Sequence, residues 1–208
     1  MGQVKVGCLK VGFNRTNCYI FFDEDTKEAV IVDPGENADF IQEQVSEIGV
    51  TPLAILLTHA HYDHIGAVTA IKEAYNIPIY VHEEDVPMLS DRMKNLGNVV
   101  VNLSEDDVIL KGGEELDIAG IKIKVFHTPG HTRGCVCYYL EEEGILFSGD
   151  TMFRYSWGRT DFPGGSEREI MDSIRSKLLP LPEETVVFPG HEGATRISDE
   201  RRVHGYKQ

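Results

Sequence analysis

Two hydrophobic rhythms divide this chain. Short apolar or alternating runs closed by turn residues predict strands near 3–11, 17–22, 28–32, 53–57, 79–82 and 98–103. The same signal recurs near 115–119, 121–126, 135–140, 144–148 and 185–188. Leu53-Ala54-Ile55-Leu56-Leu57 is apolar throughout and reads as a buried strand running into a loop at Thr58, whereas Ile121-Lys122-Ile123-Lys124-Val125-Phe126 alternates. The second rhythm, apolar every three or four positions, predicts helices. Ile41, Val45 and Ile48 stripe one over 38–48, which Gly49 stops. Ile65, Val68, Ile71 and Tyr75 stripe another over 64–75, and an acidic helical turn is expected near 83–90. Ser166 and Glu169 stand at capping-box spacing before a helix over 167–178 that turns Ile170, Ile174 and Leu178 inward, and a short C-terminal helix closes the chain. Strands, then helix–strand units, then strands and helices again suit two sheets with helices outside, an α+β arrangement.

Length and charge narrow the picture. The 208 residues suit one domain, 1–208, with a substantial core and neither internal linker nor low-complexity tract. No apolar stretch approaches the ~18 residues of a membrane span. The N-terminus reads as a strand rather than a signal peptide, so a cytoplasmic location is expected. A formal net charge of −14 excludes a nucleic-acid role resting on a basic surface and disfavours anionic membranes. Of the four cysteines, at 8, 18, 135 and 137, Cys135 and Cys137 share one strand face and cannot easily bridge each other; they read as small buried thiols, the alternative being an additional metal or redox pair just after His131.

The chemistry concentrates near position 60. His59-Ala60-His61-Tyr62-Asp63-His64 packs three imidazoles and a carboxylate just beyond a strand. Alternation points His59 and His61 the same way in an extended loop, and adjacent Asp63 and His64 elsewhere, toward a second metal. Imidazole plus carboxylate is a ligand set for zinc or iron. Three further residues repeat the strand-to-loop setting, each directly after a glycine: His131, Asp150 and His191. Asp33, in Val32-Asp33-Pro34-Gly35, reads on its own as an ordinary Asp-Pro-Gly turn.

These motifs, in this order, resemble those of the metallo-β-lactamase superfamily. The resemblance implies a four-layer αββα sandwich with two metal ions at one edge between the sheets. His59, His61 and His131 would hold one ion; Asp63, His64 and His191 would hold the other; Asp150 and a water or hydroxide would bridge them, and Asp33 would steady a ligand imidazole or the helix–loop junction. The ions would be zinc, with iron or manganese as substitutes. Within the superfamily the stretch Ser148-Gly149-Asp150-Thr151-Met152-Phe153, followed by Gly158-Arg159-Thr160-Asp161-Phe162, is most similar to the glyoxalase II branch in its short form. Two departures stand out: the chain ends at Gln208 without the C-terminal helical glutathione-binding domain of that branch, and Glu192-Gly193 follows His191 where short relatives carry Gly-Pro.

The implied activity is hydrolysis of a small-molecule thioester such as a hydroxyacylglutathione, with Asp63 orienting the nucleophile as well as ligating. A thiolate, conjugate pKa ~8.5, leaves without a strong general acid. The same block also resembles the persulfide dioxygenases, which would use one iron on His59, His131 and Asp150. Arg133, Arg154, Arg159 and Arg196 lie near the motifs and are expected to add local positive charge. Tyr155 and Trp157 are candidates for a pocket wall or for core. Arg159 and Asp161 are expected to form an internal ion pair that holds the ligand loop. His82 and His127 read as structural, and His204 carries no function.

Overall fold

The computed structural model describes residues 2–205. The first half runs β1 (Val4–Val11), β2 (Thr16–Asp23), β3 (Glu28–Val32), α1 (Ala38–Ile48), β4 (Thr51–Leu56), α2 (Tyr62–Ile65), α3 (Val68–Tyr75), β5 (Ile79–His82), a 3₁₀ turn (Glu83–Asp85), α4 (Val86–Ser90) and β6 (Val108–Leu110). The second runs β7 (Glu115–Ile118), β8 (Ile121–His127), β9 (Val136–Leu140), β10 (Ile145–Gly149), α5 (Glu167–Ser173), a π turn (Ile174–Leu178), β11 (Val186–Pro189), β12 (Thr195–Arg196) and α6 (Ile197–Val203). Each half forms a six-stranded mixed sheet, in the orders β1-β2-β3-β4-β5-β6 and β12-β11-β10-β9-β8-β7. In the first sheet β3, β4, β5 and β6 run parallel; in the second only β10 and β11 do.

Strand alternation sorts the core into layers. In β2, Tyr19 and Phe21 face the space between the sheets, while Cys18 and Ile20 face the helices outside. In β9, Val136, Tyr138 and Leu140 enter the same central layer, and Cys137 and Tyr139 pack outward on Ile170 and Ile174. A strand covered on both faces has no polar side to show, which is why these runs read as continuously apolar. The result is the expected αββα sandwich. Phe21 stacks on Phe147 across the central layer with ring centroids 5.2 Å apart, a contact worth ~0.5–1.5 kcal/mol beyond area burial. Among the described residues no helix is long and apolar enough to cross a membrane.

Three local expectations are corrected. The run 98–103 joins no ladder; Val101 instead donates its N–H to Leu89 O and buries its side chain in the outer helical layer, and the edge strand is β6. The helix over 64–75 breaks after Ile65, because the Ala67 N–H is taken by Pro34 O at 2.9 Å. The helix over 167–178 loosens into a π turn, with Leu179 N bonded to Ile174 O. The Ser166 cap forms as expected, its hydroxyl accepting from Glu169 N.

Candidate metal centre

Parallel strands leave a crevice beyond their carboxyl ends, and the motif residues gather there. Asp33 follows β3, the segment 59–64 follows β4, Asp150 follows β10 and His191 follows β11, while His131 lies in the turn between β8 and β9. The structure brings all of them together. The ligand atoms of His59, His61 and His131 lie within 4.8 Å of one another, as do those of Asp63, His64 and His191. Asp150 stands between the two groups: Oδ2 is 3.4 Å from His131 Nε2 and 3.6 Å from His191 Nε2, and Oδ1 is 3.5 Å from His64 Nε2. Gly190 makes this approach possible, since a Cβ there would lie 2.2 Å from Asp150 Oδ1.

The donor atoms are arranged for a cation. His61 Nδ1 faces His131 Nε2 at 2.9 Å, and His64 Nε2 faces His191 Nε2 at 3.4 Å, nitrogen toward nitrogen. Among the described residues, His59 Nε2 and Asp150 Oδ1 are buried without any hydrogen-bond partner. A buried polar atom left unpaired is costly, and a shared divalent ion satisfies several at once. His and Asp together suit zinc, iron or manganese. The donor set fits a metal.

Electrostatics separate the imidazoles. Burial and the neighbouring His64 and His131 rings push His59 well below the usual histidine range; burial and His131 push His61 down to about 3. Neutral rings are what a metal binds. Burial pushes His64 down as well, but the carboxylates of Asp150, Asp33 and Asp63 outweigh it and raise this ring to about 10. Burial raises Asp63, yet His64, Asn14 and His191 win and hold its carboxyl below the ordinary value.

Outer groups fix the rings. Asp33, in a left-handed conformation at φ 49°, accepts from Thr58 N at 2.8 Å, Thr58 Oγ1 at 2.6 Å and His64 Nδ1 at 2.9 Å. It is therefore more than a turn residue: it sets the orientation of a candidate ligand. His131 Nδ1 donates to Arg159 O at 2.7 Å. Asp63 Oδ2 accepts from Asn14 Nδ2 and Thr16 Oγ1. Sequence reading missed Asn14, Thr16, Thr58 and Asp85. Asp85 lay in an acidic run that looks like a solvated turn, yet it is fully buried. No local signal marks it.

A cleft of about 460 Å³ opens over the site, walled by Asn14, Tyr62, Leu96, Phe153, Arg159 and Phe162. Several lesser expectations change here. Of the four arginines, only Arg159 lines this cleft; Arg133 borders a neighbouring cavity, and Arg154 and Arg196 lie in another hollow. The Arg159–Asp161 pair forms, at 2.7 Å, but with both side chains about two-thirds exposed it is not internal; the Arg159 carbonyl, not its charge, steadies His131. Tyr155 and Trp157 do not wall the cleft; Trp157 packs on His204 instead. His82 and His127 stack on each other at 4.1 Å, away from the cleft. All four cysteines are free; Cys8 is exposed, while Cys18, Cys135 and Cys137 are buried.

Fold and donor set together define a divalent-metal protein of the αββα class. The chain belongs to the metallo-beta-lactamase superfamily, whose sequence profile matches residues 11–191. It is 38% identical to the probable metallo-hydrolase YqgX of Bacillus subtilis, over 93% of this chain and 92% of that one. It is 34% identical to the hydroxyacylglutathione hydrolase GloC of Haemophilus influenzae, over 91% and 92%. Among solved structures, the BLEG-1 B3 metallo-beta-lactamase superposes with a TM-score of 0.90 at 41% identity, covering 95% of this chain and 97% of that one. TTHA1623 in a di-iron-bound form gives 0.84 at 35%, covering 97% and 100%. ETHE1 from Myxococcus xanthus gives 0.80 at 30%, covering 96% and 83%.

Proposed function

We propose that this protein is a metal-dependent hydrolase acting on a thioester, with hydroxyacylglutathiones as the substrate class. The observation that carries the reading is Asp150, placed within 3.6 Å of donor nitrogens from both triads, with a buried oxygen lacking a partner. His59, His61 and His131 would hold one divalent ion, Asp63, His64 and His191 the other, and Asp150 both. Zinc is the proposed metal; the di-iron neighbour keeps iron as its substitute. Such a pair, when bound, supplies a hydroxide nucleophile near neutral pH by lowering the pKa of water from 15.7 towards ~7 and polarises a carbonyl.

The chain's own residues supply the rest. Asp63, held by Asn14 and Thr16, is positioned to orient the nucleophile as well as to ligate. Phe153, Phe162 and Leu96 give the cleft apolar walls for the thioester's carbon groups. The leaving thiolate asks for no strong general acid. The GloC relative supports this substrate class.

The second reading is a one-iron dioxygenase using His59, His131 and Asp150, favoured by the ETHE1 likeness. The second triad weighs against it, because Asp63, His64 and His191 would then be gathered without use. Metal analysis of protein purified without added metal, paired with two assays, separates them. Near two ions per chain and loss of the lactoylglutathione thioester support the hydrolase; about one iron with oxygen uptake on glutathione persulfide overturns it. Asp150→Ala is expected to lose metal and activity together, and a variant keeping both would refute the shared role.

A further inference from the structure

We propose that Asp85 is a positioning residue that sets metal affinity at the His59/His61/His131 triad and leaves the Asp63/His64/His191 triad untouched; the inference rests on the dinuclear reading above.

Asp85 ends the 3₁₀ turn after β5, in the first sheet's half of the molecule, and its side chain is shut away from solvent. Its carboxylate joins two loops of different origin. Oδ2 accepts from Ala60 N at 3.1 Å, the peptide between His59 and His61. The same oxygen accepts from Thr132 Oγ1 at 2.8 Å, and Oδ1 accepts from Gly134 N at 2.8 Å, on the loop that carries His131. One buried group thus ties the first-sheet loop to the second-sheet loop at the place where their imidazoles meet. The contact is close: a Cβ on Gly134 would stand 2.6 Å from Asp85 Oδ1, so only glycine lets the loop reach the carboxylate.

Three donors converge on two oxygens, an arrangement that suits a carboxylate and nothing else of its size. Asn has a single accepting oxygen and turns an amide NH₂ toward donors, so at least one tie breaks. The other triad relies on different groups: Asp33 for His64, and Asn14 and Thr16 for Asp63. Loss of Asp85 therefore loosens one site and spares the other. Groups supporting ligands from outside change metal affinity by roughly 10–100-fold, which is the expected size here.

The test is a zinc count by mass spectrometry after dialysis against a weak chelator, with a thermal melt of each protein beside it. Wild type is expected to retain two ions and Asp85→Asn one, with a cooperative melt. Adding His191→Ala to Asp85→Asn should remove the remaining ion, whereas adding His61→Ala should leave it in place. Thr132→Val removes a single donor and keeps the carboxylate; it should weaken the same ion by a smaller factor, and it decides the matter if Asp85→Asn does not fold. Asp85→Asn holding both ions as tightly as wild type, or losing both to the same degree, would overturn the proposal. A wild-type protein holding only one ion would instead sink the dinuclear reading itself.

Discussion

Asp33 Oδ2 lies 2.9 Å from His64 Nδ1, with both side chains out of reach of water and the Thr58 hydroxyl on the same carboxylate oxygen. This contact fixes which nitrogen of His64 is free to face Asp63, His191 and Asp150. Asp33→Ala removes the orienting acceptor and leaves the imidazole to rotate. The expected outcome is metal binding weakened by roughly 10–100-fold at the Asp63/His64/His191 triad, measured by chelator competition. Unchanged affinity would mean the ring is held by packing alone.

Gly190 precedes His191 and touches the centre with its backbone. Gly190→Ala puts a Cβ where Asp150 Oδ1 and His64 Cε1 now lie, 2.2 and 2.8 Å away. Both side chains have to move, and displacements near 1 Å at a reaction centre cost about 10²-fold in rate. Turnover of the proposed thioester substrate should fall by that order while the far-ultraviolet circular dichroism stays native. Full activity would show that the centre tolerates the shift.

Tyr138 spans the central layer, where its hydroxyl donates to Leu57 O at 2.7 Å with no exposed surface. Tyr138→Phe keeps the ring and deletes the donor, leaving a buried carbonyl short of a partner. A loss of roughly 1–3 kcal/mol is expected from the urea midpoint at constant slope. No shift in midpoint would mean that another donor takes over that carbonyl.

Asp107 ties the edge of the first sheet together. It accepts from Ile79 N at 2.8 Å and Ser104 N at 2.7 Å, and Lys72 Nζ lies against it. Burial raises its carboxyl, but Lys72 and the two backbone donors outweigh that and hold it below the usual aspartate value. A depressed folded pKa stabilises the protein above the unfolded value of ~3.9, and that stabilisation disappears as pH falls through the folded one. Asp107→Asn should therefore lose roughly 1–2 kcal/mol at pH 7, with the gap from wild type closing below about pH 4. Urea titrations at both pH values check it, and a gap independent of pH would refute the charge's role.

How far the molecule was legible depends on what each residue answers to. His59, His61, Asp63 and His64 were readable because they sit together after one apolar strand, and His131, Asp150 and His191 because each follows a strand and a glycine. The strand at 98–103 was misread because Val99 and Val101 satisfy the same apolar rule whether they pair in a ladder or pack under helices. The helix over 64–75 was drawn too long because its stop comes from Pro34, thirty-odd positions upstream, capturing the Ala67 N–H. Asp85 was invisible for the same kind of reason: its three donors lie 25, 47 and 49 positions away.

The residue pattern by itself determined two sheets with helices outside and a set of candidate metal-binding side chains, since periodicity and donor chemistry are local properties; the family resemblance sharpened this to four layers. Tertiary structure decided how closely those side chains approach one another about Asp150, and which buried groups hold them. Those outcomes depend on distances between loops from different sheets and on the loss of water around them, and neither exists until the two sheets have closed face to face.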